Sequence, residues 1–398
     1  MAVRIVHTAD VHLGARHTDL GERAAAQRER QFAAFVATVD LAIEAQADLF
    51  LVAGDLFDSN SQPRRSVERV AEQLARLAGR RIRSVLLPGT HDVYDRASIY
   101  RAYDFAELAK IPAGAGLVTV LTPERPEVHF PELDTVVFGR VFATKRAPTS
   151  PLAGFSAAAA TETWKVGMIH GSLLIPGRTD GDEVVFSTAE VAASGLDYLA
   201  LGHWHSAQVA TAGAVRYAYA GAPEPVAVDQ DRSGKALLVT LALMDGKRSV
   251  TVEERTVGRT RFLRHEVDAA TIGSQPALIA AVSAFADPDV VAEVRIVGIR
   301  PDDLDVDLDE VTRALAPSFL SIRVRDRSVT PLPATDELPG PDTILGSLVR
   351  DVEARIADAE ADAEEDAEAD TARAAEAAEL RDALAIARHL LVGTEVTL

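Results

Sequence analysis

Short apolar runs punctuate the first half of the chain, and five of the six stop at residues able to hold a metal ion. Val3-Arg4-Ile5-Val6 leads into Asp10-Val11-His12, and Leu49-Phe50-Leu51-Val52 into Gly54-Asp55. Ser84-Val85-Leu86-Leu87 leads into Gly89-Thr90-His91-Asp92. Val166-Gly167-Met168-Ile169 ends at His170, and Tyr198-Leu199-Ala200-Leu201 at Gly202-His203-Trp204-His205. The sixth, Thr135-Val136-Val137-Phe138, ends at Gly139-Arg140. Continuous apolar runs of this length, bounded by glycine, predict buried strands.

Helical periods lie between them. Gln31 to Ile43 places Phe32, Phe35, Val36, Val39 and Ile43 near one face. Pro63 to Leu77 turns Val67, Val70, Leu74 and Leu77 inward behind a first-turn proline, and Ser98 to Leu108 predicts a third helix. This alternation predicts an α/β sheet up to about residue 205. Beyond it, 207–211, 214–220, 235–243 and 249–257 predict strands, with turns at Ala212-Gly213 and Asp245-Gly246. They predict an antiparallel meander forming a second sheet packed on the first. Residues 259–332 predict a small α+β unit, with strands at Val291–Ile299 and Phe319–Val324 and a helix at Asp309–Ala316. Pro331-Leu332-Pro333 and Pro339-Gly340-Pro341 mark a linker. After an Asp342 N-cap, Ile344, Leu345, Leu348, Val349, Val352 and Ile356 form one apolar stripe. From Ala357 to Ala378 almost every apolar residue is alanine, which predicts a solvated or partly disordered helix rather than a coiled coil.

A length of 398 residues, 47% of them apolar, allows two or three domains. No apolar run is long enough for a membrane span. The chain enters a strand directly from Met1 without a signal-peptide pattern, so a cytoplasmic location is expected. The lack of cysteine removes disulfides, thiolate ligands and thiol nucleophiles. The net charge is −19, and residues 351–398 carry −10 of it. Such a balance argues against broad nucleic-acid binding through neutralised phosphates. It does not exclude a nuclease, because bound divalent cations invert the charge of a carboxylate-rich site. Arg64-Arg65 and Arg80-Arg81-Ile82-Arg83 read as solvated helix and loop ends at least as readily as DNA contacts.

In order, the candidate chemistry is D-x-H, G-D-x-x-D, G-T-H-D, an isolated H-G and G-H-x-H, each after a predicted strand. Ligands of open α/β sheets gather at the carboxyl ends of strands. Mixed carboxylates and imidazoles suit Mn, Fe or Zn. The set predicts a two-ion site, in which cations about 3.5–4 Å apart clamp the attacking and leaving oxygens of a phosphoester. Asp55 is placed to bridge them. Asp10, His12 and His205 complete one ion; His170, His203 and Thr90 complete the other. The glycines before Asp55, Thr90 and His203 are expected to permit the sharp turns that aim these side chains. Outside the set, His7, His17, His129, His265 and His389 read as structural. Trp204 reads as packing, with stacking on a base as the sharper alternative. Arg140 reads as a phosphate contact or a surface ion pair. Tyr94, Arg96 and Tyr100 read as helix packing or substrate contacts.

These motifs resemble those of the calcineurin-like metallophosphoesterases, and within them most closely the SbcD-type DNA-repair exonucleases. The likeness covers residues 5–205 and extends loosely through Tyr219-Ala220-Gly221-Ala222-Pro223-Glu224. It implies an α/β/β/α sandwich of two mixed sheets over 1–258 and a small α+β capping domain over 259–334. The remainder, 335–398, which the likeness does not explain, reads as a linker and an acidic helical tail able to bind a partner. It implies that Asp10, His12, Asp55, His170, His203 and His205 are ligands, that His91 is the catalytic histidine and that Asp58 orients it. Thr90 departs from the family's usual asparagine, which predicts a weaker second ion site. The implied function is cleavage of DNA phosphodiesters with two Mn²⁺ ions, Fe, Zn or Mg being alternatives, as an exonuclease or endonuclease in DNA repair. An SbcC-type ATPase would be the partner, and dimerisation could use the helices at 63–77 and 98–108, which core packing explains equally well. A small-molecule phosphodiesterase or phosphatase is the rival enzyme. A weakly active scaffold that docks an ATPase or DNA is the contrasting class, and it would not require both Asp58 and His91.

Overall fold

The computed structural model describes residues 2–147, 149–175, 177, 179, 184–225, 230, 232–301, 304–329, 340, 342–361, 379, 380, 383, 384, 386 and 387. The chain divides into two compact units, Met1–Phe262 and Leu263–Leu398.

The first unit holds two six-stranded mixed sheets. One is built on parallel strands β1 (Val3–Thr8), β2 (Leu49–Ala53), β3 (Arg83–Leu87) and β4 (Val118–Val120). The other contains β5 (Glu127–Phe130), β6 (Thr135–Arg140) and β7 (Trp164–His170), then, after the small pair β8 (Ser172–Leu173) and β9 (Val185–Phe186), β10 (Tyr198–Gly202), β11 (Gln208–Ala212) and β12 (Val215–Tyr219). Its parallel core runs β12-β10-β7-β6.

Side-chain alternation along each strand explains the layering. Ile5, Leu49, Leu51, Val85 and Leu87 share one cluster with Val137, Val166, Met168, Tyr198 and Ala200 of the other sheet. The intervening Val6, Phe50, Val52 and Leu86 pack instead with Phe35, Val39, Val70 and Leu74. Those last four lie on helices α1 (Ala24–Glu44) and α2 (Arg64–Ala78). On the far side, Leu199, Leu201, Tyr217 and Tyr219 pack with Val191 of the short helix α5 (Thr188–Ala193). Strands buried on both faces read as unbroken apolar runs, and the result is the expected α/β/β/α sandwich.

Two local expectations are corrected. Ser98–Leu108 is two short helices, α3 (Ile99–Ala102) and α4 (Phe105–Leu108). Tyr103 between them is extended, and the Asp104 carboxylate caps the second by accepting from the Ala106 and Glu107 amides. A strong N-cap overrode an apolar period. The four later strands are not one meander. β11 and β12 form a hairpin in the second sheet, while β13 (Lys235–Met244) and β14 (Lys247–Thr256) join the first beside β1. Turn residues fix which strands form a hairpin, not which sheet receives it. The apolar face of α2 lies inward as expected, with Val67, Val70, Leu74 and Leu77 all fully buried.

The second unit packs α6 (Gln275–Ser283) and α7 (Leu308–Leu315) against a three-stranded sheet. Its strands are β15 (Arg261–Asp268), β16 (Val290–Val297) and β17 (Ser321–Asp326). β15 and α6 had no sequence counterpart. Helix α8 (Ile344–Ala361) follows, capped by Thr343 rather than Asp342: the Thr343 hydroxyl accepts from the Gly346 amide at 3.0 Å. Val349 is buried, whereas Ile344 is 79% exposed. Residues 362–378, most of the alanine-rich stretch, lie outside the described residues. No helix among the described residues is long and apolar enough to cross a membrane.

Candidate metal centre

The parallel register of β1, β2 and β3 brings the three motif loops of the first sheet to one edge, and β7 and β10 bring those of the second sheet to the same place. Four of the residues so delivered adopt left-handed backbone angles: Asp10 (φ 53°), His12 (φ 50°), Asp55 (φ 51°) and His203 (φ 102°). Residues other than glycine rarely do so, and each carries a cost of about 1–3 kcal/mol that surrounding structure must offset. Here the Asp10 amide donates to the Gly54 carbonyl at 3.1 Å and the His12 amide to the Asp55 carbonyl at 3.0 Å. The glycines serve differently from the expectation. Only Gly54 uses a positive φ (93°), and Gly89 and Gly202 do not. All three give room. A Cβ on Gly54 would strike the His170 ring, one on Gly89 the Asp55 carboxylate, and one on Gly202 the Ala53 carbonyl.

Asp55 sits at the centre. Its Oδ2 lies 3.0 Å from His170 Nε2 and 3.8 Å from His12 Nε2, and accepts from the Thr90 hydroxyl at 3.3 Å. Its Oδ1 accepts from the His91 amide at 2.7 Å. One carboxylate oxygen thus faces the imidazoles while the other anchors the His91 turn. Asp10 accepts from the His203 amide at 2.9 and 3.0 Å, and its Oδ1 is 4.0 Å from His170 Nε2. His12 Nε2 and His205 Nε2 face each other at 3.2 Å, and the His203 ring stands 5.3 Å from that of His170. Ligand-type atoms converge in three sets, each within 4.8 Å: Asp10, His12 and His205; Asp10, Asp55 and His170; and His12, Asp58 and His91.

Electrostatics follow from crowding buried carboxylates and imidazoles. Burial works against charge on Asp55, but His170 and His12 outweigh it and hold its carboxyl far below the usual range. Burial likewise disfavours a charged His170, yet Asp55 and Asp10 push its pKa up to about 10. His12 is also raised: burial opposes, and Asp58, Asp55 and Asp10 prevail. His205 is lowered, chiefly by burial. A cluster that holds protons this tightly offers the charge and lone pairs that a divalent cation would exploit, and its donor set of imidazoles and carboxylates fits one.

Asp58 stands differently from the expectation. Its carboxylate is nearer to His12 Nδ1, at 3.3 Å, than to His91 Nδ1, at 3.7 Å. His91 Nδ1 instead donates to the Asp58 main-chain carbonyl at 3.1 Å. The His91 side chain is 46% exposed. Of the remaining candidates, Arg140 donates from Nε to the Pro151 carbonyl at 2.6 Å, and Tyr94 is buried with the Arg101 guanidinium 4.0 Å over its ring. Neither is brought to the cluster by a described contact. Trp204 stacks on Tyr219 at 4.5 Å and donates to Ser172, the packing role. It also lines a cavity of about 560 Å³ with His203, His205, Gln230 and Arg232. His7 bonds the Tyr198 hydroxyl, and His389 lies outside the described residues.

Two supports escaped sequence reasoning. Buried Asp92 accepts from the Gly89 amide (2.7 Å), the Phe57 amide (3.1 Å) and the Tyr100 hydroxyl (2.6 Å), tying the Asp55 loop to the His91 loop. Asn60 receives the Ile99 amide and donates to the Val93 carbonyl. Apart from Asp92's place in its motif, neither carries a signal in the chain, because their partners come from separate loops.

A family model described as calcineurin-like phosphoesterase matches residues 3–207, just over half of the 398 residues. The chain is 29% identical over 290 residues to the DNA double-strand break repair protein Mre11 of Aeropyrum pernix, covering 68% of this chain and 65% of that protein. It is 28% identical over 270 residues to one of the subunits of the nuclease SbcCD of Rhodobacter capsulatus, covering 57% and 64%. It is 26% identical over 216 residues to the Uncharacterized metallophosphoesterase YhaO of Bacillus subtilis, covering 52% and 50%. The chain spans a little under two thirds of the first two of these relatives and half of the third. The matched segment contains every strand and loop that builds the cluster, and the chain belongs to the calcineurin-like phosphoesterase family.

Proposed function

We propose that the protein is a two-cation phosphodiesterase that cuts DNA in repair. One observation carries the reading: Asp55 Oδ2 stands between His170 Nε2 and His12 Nε2, at 3.0 and 3.8 Å, with Asp10 shared by both flanking sets. Asp10, His12 and His205 would hold one ion, His170, His203 and Thr90 the other, and Asp55 both. Divalent cations, Mn²⁺ in this reading, would supply Lewis acidity and orient the reacting oxygens of the diester. The chain's own residues do the rest. His170 donates Nδ1–H to the Ala53 carbonyl at 2.9 Å, which leaves Nε2 for the site. His91, with Nδ1 committed to the Asp58 carbonyl and its side chain half-exposed, has Nε2 to protonate a leaving oxygen or stabilise charge. Asp58 positions His12 through its carboxylate and His91 through its carbonyl.

DNA as substrate is supported by the names of two relatives, a DNA double-strand break repair protein and a component of a nuclease. The second of these is one subunit of a larger nuclease, and we propose, from the motif resemblance, an SbcC-type ATPase partner and a cytoplasmic place. The exposed end of the α8 stripe at Ile344 is the surface we assign to that partner, and the unit from Leu263 we read as the capping domain. The discriminating assay compares Mn²⁺-dependent release of nucleotides from double-stranded DNA with hydrolysis of bis-p-nitrophenyl phosphate and cyclic AMP. Release from DNA supports the reading. Turnover confined to the small diesters would make it a small-molecule phosphodiesterase, and Mn²⁺ binding with no turnover would make it a scaffold.

A further inference from the structure

An imidazole that binds a cation through one nitrogen carries its proton on the other, and the acceptor of that proton fixes both tautomer and ring direction. Two ligand-type histidines meet this demand with acceptors already named: the Ala53 carbonyl for His170 and the Asp58 carboxylate for His12. Another is His205, whose Nε2 faces His12 Nε2 at 3.2 Å. Its Nδ1 lies 2.7 Å from the side-chain amide nitrogen, Nε2, of Gln230 as that amide is oriented here. Gln230 belongs to none of the motifs. Its main-chain carbonyl is held by the Ser233 amide and hydroxyl, at 3.2 and 2.6 Å, and its side chain shares a cavity wall with His205.

We propose that Gln230 is the positioning residue for His205: its amide oxygen accepts Nδ1–H and so aims the Nε2 lone pair at the cation held with Asp10 and His12. A half-turn about the last side-chain bond exchanges the amide's oxygen and nitrogen, and only the oxygen suits a ring that gives Nε2 to a metal. The proposal rests on the two-cation reading above. It adds that one ion depends on a neutral acceptor supplied by a segment far from the five motifs.

The test titrates the metal-free full-length chain with Mn²⁺ alone by calorimetry, for the wild type, Gln230→Leu and Gln230→Glu. Gln230→Leu removes the acceptor and is expected to weaken one ion by about 10–100-fold, leaving the other unchanged. Gln230→Glu keeps an acceptor and is expected to bind that ion at least as tightly as the wild type. In a His205→Ala background, Gln230→Leu should have no further effect. ¹⁵N shifts of His205, read with a diamagnetic divalent ion, should report a protonated Nδ1 in the wild type and in Gln230→Glu; this reading stands even if Gln230→Leu folds poorly. Equal Mn²⁺ affinity in Gln230→Leu and wild type would overturn the inference while leaving the two-cation reading standing. So would a Gln230→Glu that binds as weakly as the leucine form, which would mean that the amide donates. A wild type that binds no Mn²⁺ would overturn both.

Discussion

A carboxylate oxygen 3.0 Å from one imidazole and 3.8 Å from another, as at Asp55, needs a proton or a cation among the three. Asp55 and Asp10 push the His170 ring up to about 10, so that ring takes the proton when no ion does, and His12 is raised as well. His91 differs: its side chain is half-exposed, and its ring meets Asp58 and, edge to face, the His12 ring rather than Asp10 or Asp55. His91→Ala should therefore keep both ions and lower turnover by about 10²–10⁴-fold; metal content and kcat measured together check this. Thr90 makes the opposite case. Its hydroxyl reaches Asp55 Oδ2 at 3.3 Å and lies 3.5 Å from His170 Nε2, so it is inside the cluster but short. Thr90→Asn adds a carbonyl with longer reach. It should lower the Mn²⁺ concentration for half-maximal activity, a gain of about 1–3 kcal/mol if the new ligand is worth a charge-assisted hydrogen bond. Residue identities at this scale were legible because carboxylates and imidazoles at strand ends have few uses. Their supports were not: Gln230 and Asn60 are ordinary polar residues until the fold sets them beside His205 and the Val93 carbonyl.

Strands and loops divide the work between them. The parallel strands were legible because burial on both faces demands unbroken apolar runs, as in Leu49–Ala53, where every residue is fully buried. Pairing between distant segments was not, since nothing local sends β13 to β1 and β12 to β10. The split of α3 from α4 turned on the Asp104 cap, which an apolar period does not register. The loops that carry Asp55 and His91 are held together by Asp92, whose three donors leave it no neutral substitute. Asp92→Asn would set an NH₂ group against at least one of those donors. Thermal or denaturant unfolding should show a loss of about 1–3 kcal/mol for the unsatisfied buried donor, with slower turnover. Tyr100→Phe removes one donor and keeps the two amide bonds, so its effect should be the smaller.

Across the first unit, the two sheets meet in an apolar interior that also buries His7 against the Tyr198 hydroxyl at 2.8 Å. Burial pushes the His7 ring down to about 3 from its ordinary 6.5. Between those values the unfolded chain binds a proton that the folded one refuses, so stability falls as pH falls through that window, by up to about 1.4 kcal/mol per pH unit. His7→Gln can still bond the tyrosine and does not titrate. Denaturant unfolding at pH 7 and pH 5 should show a smaller acid loss in the variant, and equal losses would mean that His7 titrates normally. The same meeting of sheets makes the candidate site, since β1, β2 and β3 deliver Asp10, His12, Asp55 and Thr90 while β7 and β10 deliver His170, His203 and His205. Central to the proposed function is that these seven hold two ions, with Asp55 shared between them. Native mass spectrometry of the Mn²⁺-loaded protein tests it most directly. The wild type should carry two ions per chain, Asp10→Ala mainly one, and Asp55→Asn neither firmly; two ions retained by Asp55→Asn would contradict the shared role of Asp55 and with it the two-cation site.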